Sequence, residues 1–294
     1  MKPAPFEYYV PDSIEQALDL LREHGDSARL LAGGQSLVPA MNFRVVQPGV
    51  LIDLNRVGEL KYIRDDHATL QIGAMTRERE LEFAPVISKR TPLLAEAMPH
   101  VAHPQIRNRG TLGGSLANAD PAAELPVIML ALRARLKVRN ADGERWVDAR
   151  NFFVGMFATD MTAEEMLVEI ELPAIQPRTG WSFMEVAPRA GDYALMGVAA
   201  LVTLDEDRRC HQARLVYLNA GDGPVEAKEA GSALEGKMPD AGAIEAASDL
   251  ASQKEINPFG NIHASPDFQR HLARVLTRKT LKQAIERANE DILQ

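Results

Sequence analysis

Two stretches of this chain pair glycines with small hydroxyl residues, a combination suited to holding phosphate. The first is Leu30-Leu31-Ala32-Gly33-Gly34-Gln35-Ser36, where an apolar run breaks into two glycines, and the second is Thr111-Leu112-Gly113-Gly114-Ser115. Paired glycines let the backbone take positive φ and turn successive N–H groups toward one point, with no Cβ in the way. Two such concavities facing each other would hold a pyrophosphate, with Ser36, Thr111 and Ser115 adding hydroxyls, and that points to a dinucleotide. Taken singly, either pair reads first as a plain turn. Their recurrence favours a ligand. Neither the Gly-x-Gly-x-x-Gly of a Rossmann unit nor the Lys of a Walker loop is present.

Other chemically capable residues are fewer. His100 and His103 stand three apart, a spacing that could bring both to one helical face for a metal. Pro99 and Pro104 break any helix there and no acid or cysteine cluster stands nearby, so the pair is not read as a metal site. Arg107-Asn108-Arg109 either brings positive charge to a pyrophosphate or forms a solvated basic turn. Glu124, one turn into an apolar helix, fits plain compensation of the helix dipole. No nucleophilic triad or carboxylate dyad is recognisable.

The elements that must position these residues follow from periodicity. Ser13-Ile14-Glu15-Gln16 fits a capping box, and Ile14, Ala17, Leu18 and Leu21 continue at helical spacing until Gly25. Strands over 7–10 and 29–32 flank that helix, and the second runs into Gly33. A helix over 37–43, a buried strand over 50–54, and strands over 62–64 and 69–72 joined at Asp65-Asp66 come next. Helices over 76–81 and 85–98 lead to Pro99. Past the second glycine pair, Asp120 as N-cap and Pro121 at the first helical position predict an apolar helix over 122–132, so that this loop runs toward an anion-favouring helix N-terminus. Strands over 136–139, 145–147 and 166–172, with a short turn or helix at 151–153, complete a first unit. Pro173 and Pro177 mark a boundary. Beyond it, strands over 181–187, 197–204 and 213–220 and helices over 225–234, 241–252 and 266–288 predict a smaller α+β layer with a three-stranded sheet.

With 294 residues the chain can build two domains, each with a core. A net charge of −8 speaks against nucleic acid as a partner, since phosphate neutralisation needs a basic surface. Cys210 is the only cysteine, which excludes an internal disulfide and any cysteine-ligated iron–sulfur cluster. Clusters that serve this chain would belong to another. The first residues form no apolar signal region and no run approaches ~20 apolar residues, so a cytoplasmic protein without a membrane span is expected.

Ala32-Gly33-Gly34-Gln35-Ser36, Leu51-Ile52-Asp53-Leu54-Asn55, Ile72-Gly73-Ala74-Met75-Thr76 and the long run from Arg107 through Gly113-Gly114 to Asp120-Pro121 together resemble the FAD-binding medium subunit of molybdenum hydroxylases, the carbon monoxide dehydrogenase and xanthine dehydrogenase type. The resemblance covers nearly the whole chain. It implies an α+β fold in which a two-subdomain FAD-binding domain of the PCMH, vanillyl-alcohol-oxidase-like type (1–175, divided near 57) precedes a C-terminal domain (176–294). It implies FAD contacts from Leu31, Ala32, Gly33, Gly34, Gln35, Ser36 and Leu37, from Ala102 and Ile106, and from Thr111, Gly113, Gly114, Ser115, Ala117 and Asn118. By the same resemblance Glu124 would accept hydrogen bonds from flavin hydroxyls, Leu167 would touch the flavin unless it is a plain core leucine, and Tyr193 would lie near the isoalloxazine on the loop Pro188-Arg189-Ala190-Gly191-Asp192-Tyr193. A tyrosine there offers a flat apolar face and a polar tip. The implied partners are an iron–sulfur small subunit and a molybdopterin large subunit, in a heterotrimer or a dimer of heterotrimers that passes electrons through this flavin to an external acceptor. A stand-alone flavin oxidase and a non-enzymatic dinucleotide-binding subunit are the alternatives. One departure stands out: the family commonly carries Phe-x-Lys before the tyrosine loop, and this chain has Phe183-Met184-Glu185. An acid close to the flavin would disfavour its reduced, anionic form.

Overall fold

In the computed structural model, which describes residues 2–290, the chain opens as a β–α–β unit. β1 (Glu7–Tyr9) leads into α1 (Ile14–His24), where the Ser13 hydroxyl accepts from the Gln16 amide at 3.2 Å. The Gln16 side chain reaches one residue beyond the capping-box position and accepts from Asp12 N–H at 3.0 Å. β2 (Ala28–Leu31), α2 (Leu37–Asn42) and β3 (Val50–Asp53) follow, and β3 lies between β1 and β2 with all three parallel. Parallel strands covered on both faces read as continuous apolar runs, and Val50-Leu51-Ile52 is buried throughout. Its core takes Ala17, Leu18 and Leu21 from α1, and Met166 and Val168 from further along the chain.

The next unit begins with the hairpin of β4 (Ile63–Asp65) and β5 (Thr69–Gly73). Short helices follow: α3 (Glu78–Phe83), α4 (Pro85–Arg90), α5 (Pro92–Ala97), α6 (Pro104–Arg107), α7 (Leu112–Asn118) and α8 (Glu124–Ala131). The helix expected over 85–98 is broken because Pro92 forces Thr91 out of the helical region, to φ −145°. The helix expected from Ala122 starts at Glu124. Asp120 instead closes a turn, its carboxylate accepting from Ala122 N–H at 2.9 Å, and Pro121 lies inside that turn. β6 (Arg135–Arg139), β7 (Glu144–Asp148), α9 (Ala149–Phe152), the hairpin of β8 (Phe153–Gly155) and β9 (Ala158–Thr159), and β10 (Met166–Pro173) complete it. The five-stranded sheet has the order β4-β5-β10-β6-β7.

β11 (Thr179–Val186), β12 (Met196–Leu204) and β13 (Cys210–Leu218) form the three expected strands, and they pair antiparallel. A fourth, β14 (Val225–Glu226), occupies the edge where the sequence predicts the start of a helix, leaving α10 only Lys228–Ser232. The open edge of β13 and the Arg133 guanidinium, which grips the Glu226 carboxylate from the other unit, outweigh local helix preference. α11 (Ala241–Leu250) and α12 (Pro266–Glu290) cover one face. Along β12, Val198, Ala200 and Val202 join the α12 side, whereas Ala199 and Leu201 join the core with Leu93 and Leu94 of α5 and Ile128 of α8. The sheet is thus sandwiched, which is why β12 is buried at every position. Arg287 of α12 ties the layers by pairing with Glu96 of α5. Among the described residues no helix is long and apolar enough to cross a membrane.

Candidate functional site

The first glycine motif is the turn between β2 and α2. Gly34 has φ +72°, so one glycine of the pair uses the left-handed region, while Gly33 is needed for space. A Cβ on Gly33 would fall 2.4 Å from the Arg109 carbonyl oxygen and 2.8 Å from the Gly110 Cα. Among the described residues, the N–H groups of Gly33, Gly34, Gln35 and Ser36 donate to no protein acceptor. The loop is closed instead by its carbonyls: Gly33 O accepts from the Gln35 side chain at 3.0 Å and Gly34 O from Val38 N–H at 3.2 Å. Four successive amides without a protein acceptor leave their donors available to a ligand.

The second motif differs from expectation. Gly113 and Gly114 lie inside α7 and their N–H groups are already used, Gly113 donating to Ala74 O at 2.9 Å and Gly114 to the Thr111 hydroxyl at 3.1 Å. Leu112 N–H is likewise taken by Thr76 O. These glycines serve close packing: a Cβ at Gly113 would sit 2.6 Å from the Ala74 Cβ, and one at Gly114 would be 3.4 Å from the Ala32 Cβ. The two motifs therefore face each other across Gly33–Gly110 and Ala32–Gly114, with the free amides on one side only. Gly114, Ser115, Ala117 and Asn118 form the open side of α7, whereas Leu112, Gly113 and Leu116 are buried.

Arg107 is neither of the things the sequence suggests. Its guanidinium is buried, pairs with Glu82 at 2.9 and 3.1 Å, and donates to the carbonyls of Val101 and Ala102 at 2.9 and 3.0 Å. It thereby fixes the loop that holds Ala102, a non-glycine residue at φ +45°. Ile106 accepts from Gly110 N–H at 2.7 Å and so shapes the turn under Gly33.

Carboxyl groups gather at the Glu124 end, with Glu78 reaching back to the glycine motifs. Glu124 is buried, and its pKa is pushed up to about 8, first by desolvation and then by the charges of Glu185, Glu78 and Asp120. Glu185 places Oε1 3.3 Å from His100 Nδ1, while its Oε2 is buried without a partner. Glu78 packs its carboxylate against the Gly110 Cα, has a buried, unpartnered Oε2, and is pushed up to about 7, chiefly by desolvation, against the lowering effect of Arg107 and Arg77. The loop carrying Tyr193 reaches this end from the last unit. Gly191, at φ +84°, sits where any Cβ would strike the His103 ring at 2.4 Å. Tyr193 is 70% exposed, and partial burial followed by the carboxylates of Asp120 and Glu124 raises its hydroxyl pKa. Leu167 is buried in the central core.

Sequence reasoning gave no role to the residues between the motifs. Asn55 donates through Nδ2 to Ala32 O at 3.0 Å and accepts at Oδ1 from Arg77 Nη2 at 2.6 Å; Arg77 Nη1 donates to Arg109 O. Asp53, itself bonded by the Tyr8 hydroxyl, accepts from Asn55 N–H at 2.9 Å. The Asp-x-Asn spacing at the end of a buried strand was the available signal, since Asp after such a strand caps the next turn.

Comparison with known proteins agrees with this architecture. Residues 4–175 match the family described as the FAD binding domain in molybdopterin dehydrogenase, and residues 181–284 match the CO dehydrogenase flavoprotein C-terminal domain. The chain is 42% identical over 288 residues to subunit alpha of the 6-hydroxypseudooxynicotine dehydrogenase complex of Paenarthrobacter nicotinovorans, covering 98% of this chain and 97% of that one. It is 36% identical over 284 residues to the carbon monoxide dehydrogenase medium chain of Hydrogenophaga pseudoflava, covering 97% and 98%. Among solved structures, carbon monoxide dehydrogenase from Hydrogenophaga pseudoflava superposes with a TM-score of 0.94 at 37% identity, covering 98% of this chain and 99% of the other. Quinoline 2-oxidoreductase from Pseudomonas putida 86 gives 0.92 at 38% identity, with the same coverage.

Proposed function

The chain belongs to the family of FAD-binding subunits of molybdopterin dehydrogenases, an oxidoreductase family whose cofactor in this domain is FAD, and from that we propose its part in the reaction. It is the flavin-carrying subunit of a cytoplasmic molybdenum hydroxylase. It receives electrons from the iron–sulfur clusters of a small partner subunit, downstream of a molybdopterin large subunit, and passes them to an external acceptor. The FAD-binding domain is 1–175 and the C-terminal domain 176–294.

The observation that carries this reading is the row of four unbonded amides at Gly33–Ser36, on a loop that glycine lets pack directly against the Arg109–Gly114 segment. Those amides are donors in search of an anion, and a pyrophosphate satisfies them without displacing any protein bond. On this reading Leu31, Ala32 and Leu37 frame that loop; Gly114, Ser115, Ala117 and Asn118, on the open side of α7, would line the cofactor, Thr111 and Gly113 would shape that side from within, and Ala102 and Ile106 would stand alongside. Glu124 and the orphaned Glu185 Oε2 are acceptors suited to the hydroxyl and N–H donors of the ribityl and ring end. Leu167 and Tyr193 would border the ring.

When bound, FAD supplies the electron-carrying chemistry, and the protein supplies binding, orientation and electrostatics. Glu124 would hold a proton at neutral pH and so place less negative charge beside the ring than its composition suggests. Relatives act, by their names, on substrates as unlike carbon monoxide and quinoline while sharing this fold, as expected of a subunit that does not touch the organic substrate. Affinity purification of the tagged chain from its native cells tests the reading. Iron and molybdenum are expected to elute with the flavin, and a flavin-loaded chain free of both would favour the stand-alone oxidase.

A further inference from the structure

We infer that Arg77 is a positioning residue that holds together the two motifs that would flank the pyrophosphate, with Asn55 as its counterpart. The inference rests on the FAD reading above. The backbone of Arg77 belongs to the second motif: it bridges Thr111, and its neighbours Thr76 and Glu78 bond Leu112 N–H and Gly110 O. Its side chain links that motif to the first. One terminal nitrogen donates to Arg109 O, the atom directly over Gly33, and the other donates at 2.6 Å to Asn55 Oδ1. Asn55 in turn holds Ala32 O at 3.0 Å, the carbonyl that precedes the four free amides. Two carbonyls, one from each motif, are thus tied to one planar guanidinium, Arg109 O directly and Ala32 O through the Asn55 amide.

The Asn55 side chain is held by a second acceptor, its Nδ2 also donating to Asp53 Oδ1, and its backbone is fixed as well. Its own N–H is held at 2.9 Å by Asp53 Oδ1, the Asp53 carboxylate is held by Tyr8, and Lys61 Nζ grips the Asn55 carbonyl at 2.8 Å. Both terminal nitrogens of Arg77 are therefore spent on directional bonds to protein acceptors that lie in different units. Arg77 acts through geometry, by keeping Gly33 pressed on Arg109 and the loop with its free amides in place. A planar fork does this; an ammonium, a single point of charge, does not.

The test is FAD titration of the full-length apoprotein, followed by flavin fluorescence. Arg77→Lys and Asn55→Ala are each expected to weaken FAD binding by about tenfold to a hundredfold, the size of one charge-assisted hydrogen bond. The double variant is expected to be no weaker than the worse single one, because both cut the same link. Guanidinium ion added to Arg77→Ala should recover part of the lost affinity, which a general loss of stability would not allow. Wild-type affinity in Arg77→Lys would overturn the inference, since charge alone would then suffice, and so would effects that multiply in the double variant. Failure of the unaltered chain to take up FAD would instead defeat the functional reading itself.

Discussion

Gly33 carries the tightest steric demand against backbone in the site. Gly33→Val would drive a branched side chain into the Arg109 carbonyl, 2.4 Å from the position of its Cβ. Overpacking of that kind costs about 1–3 kcal/mol, which a chain of this size survives, while the loop and its free amides move out of line. The purified variant is expected to be folded with its visible flavin band largely lost; full flavin occupancy would contradict the role given to these amides. Tyr193→Ala is expected to alter the flavin's spectrum and reoxidation rate and to leave most of the affinity in place, because the pyrophosphate loop is untouched. An unchanged spectrum would put the tyrosine elsewhere. Glu124 and Glu78 make apoprotein stability depend on pH. Their folded-state pKa values, about 8 and about 7, stand above the ordinary 4.5, so both bind protons more tightly folded than unfolded. The stability they confer is complete below pH 4.5 and is lost as pH rises through 7 to 8, with a slope of at most about 1.4 kcal/mol per pH unit for each group. Denaturant titrations from pH 5 to 9 should show this decline, and Glu124→Gln should flatten it; equal slopes would show that burial leaves Glu124 ionised. At this scale the sequence reveals which residue types gather at the site, but not how each is used. Gly113 and Gly114 look like Gly33 and Gly34 in sequence, yet a helix and the carbonyls of Thr76 and Ala74 have already consumed the donors at that end.

Among the elements, those with long periodic patterns were legible and those set by tertiary pairing were not. The runs of β3, β10, β11, β12 and β13 and the spacing of α1 and α12 sit close to where the sequence places them. β14 is a strand only because β13 offers an edge and Arg133 holds Glu226. The short β8–β9 hairpin is similarly invisible, since three and two residues carry no period. Asp120 and Pro121 have the composition of a helix start and form a turn instead, because Ala119, at φ +48°, ends α7 immediately before them. The contact of β11 with α12 offers a test independent of the flavin. A Cβ on Gly180 would fall 1.8 Å from the Ala284 carbonyl, inside any tolerable contact. Gly180→Ala should therefore push α12 off the sheet and lower the melting temperature by several degrees, at a cost of about 1–3 kcal/mol. An unchanged melting temperature would mean that the two elements pack less tightly than described.

For the whole molecule the central claim is that electrons reach this flavin from another protein. The chain has one cysteine, buried Cys210, whose thiol is pushed up to about 12 by burial and by nearby Glu235 and Asp205, and so it holds no iron–sulfur relay of its own. The layers are joined at Arg287–Glu96 and Arg133–Glu226, so the Tyr193 loop and the glycine motifs are presented by one packed body. The most direct measurement is the anaerobic visible spectrum of the FAD-loaded chain mixed with the organic substrate of its native complex, first alone and then with the co-purified subunits restored. The flavin band should stay oxidised in the isolated chain and bleach once the partners are present. Bleaching by substrate in the isolated chain would contradict the account and identify a self-sufficient flavin oxidase.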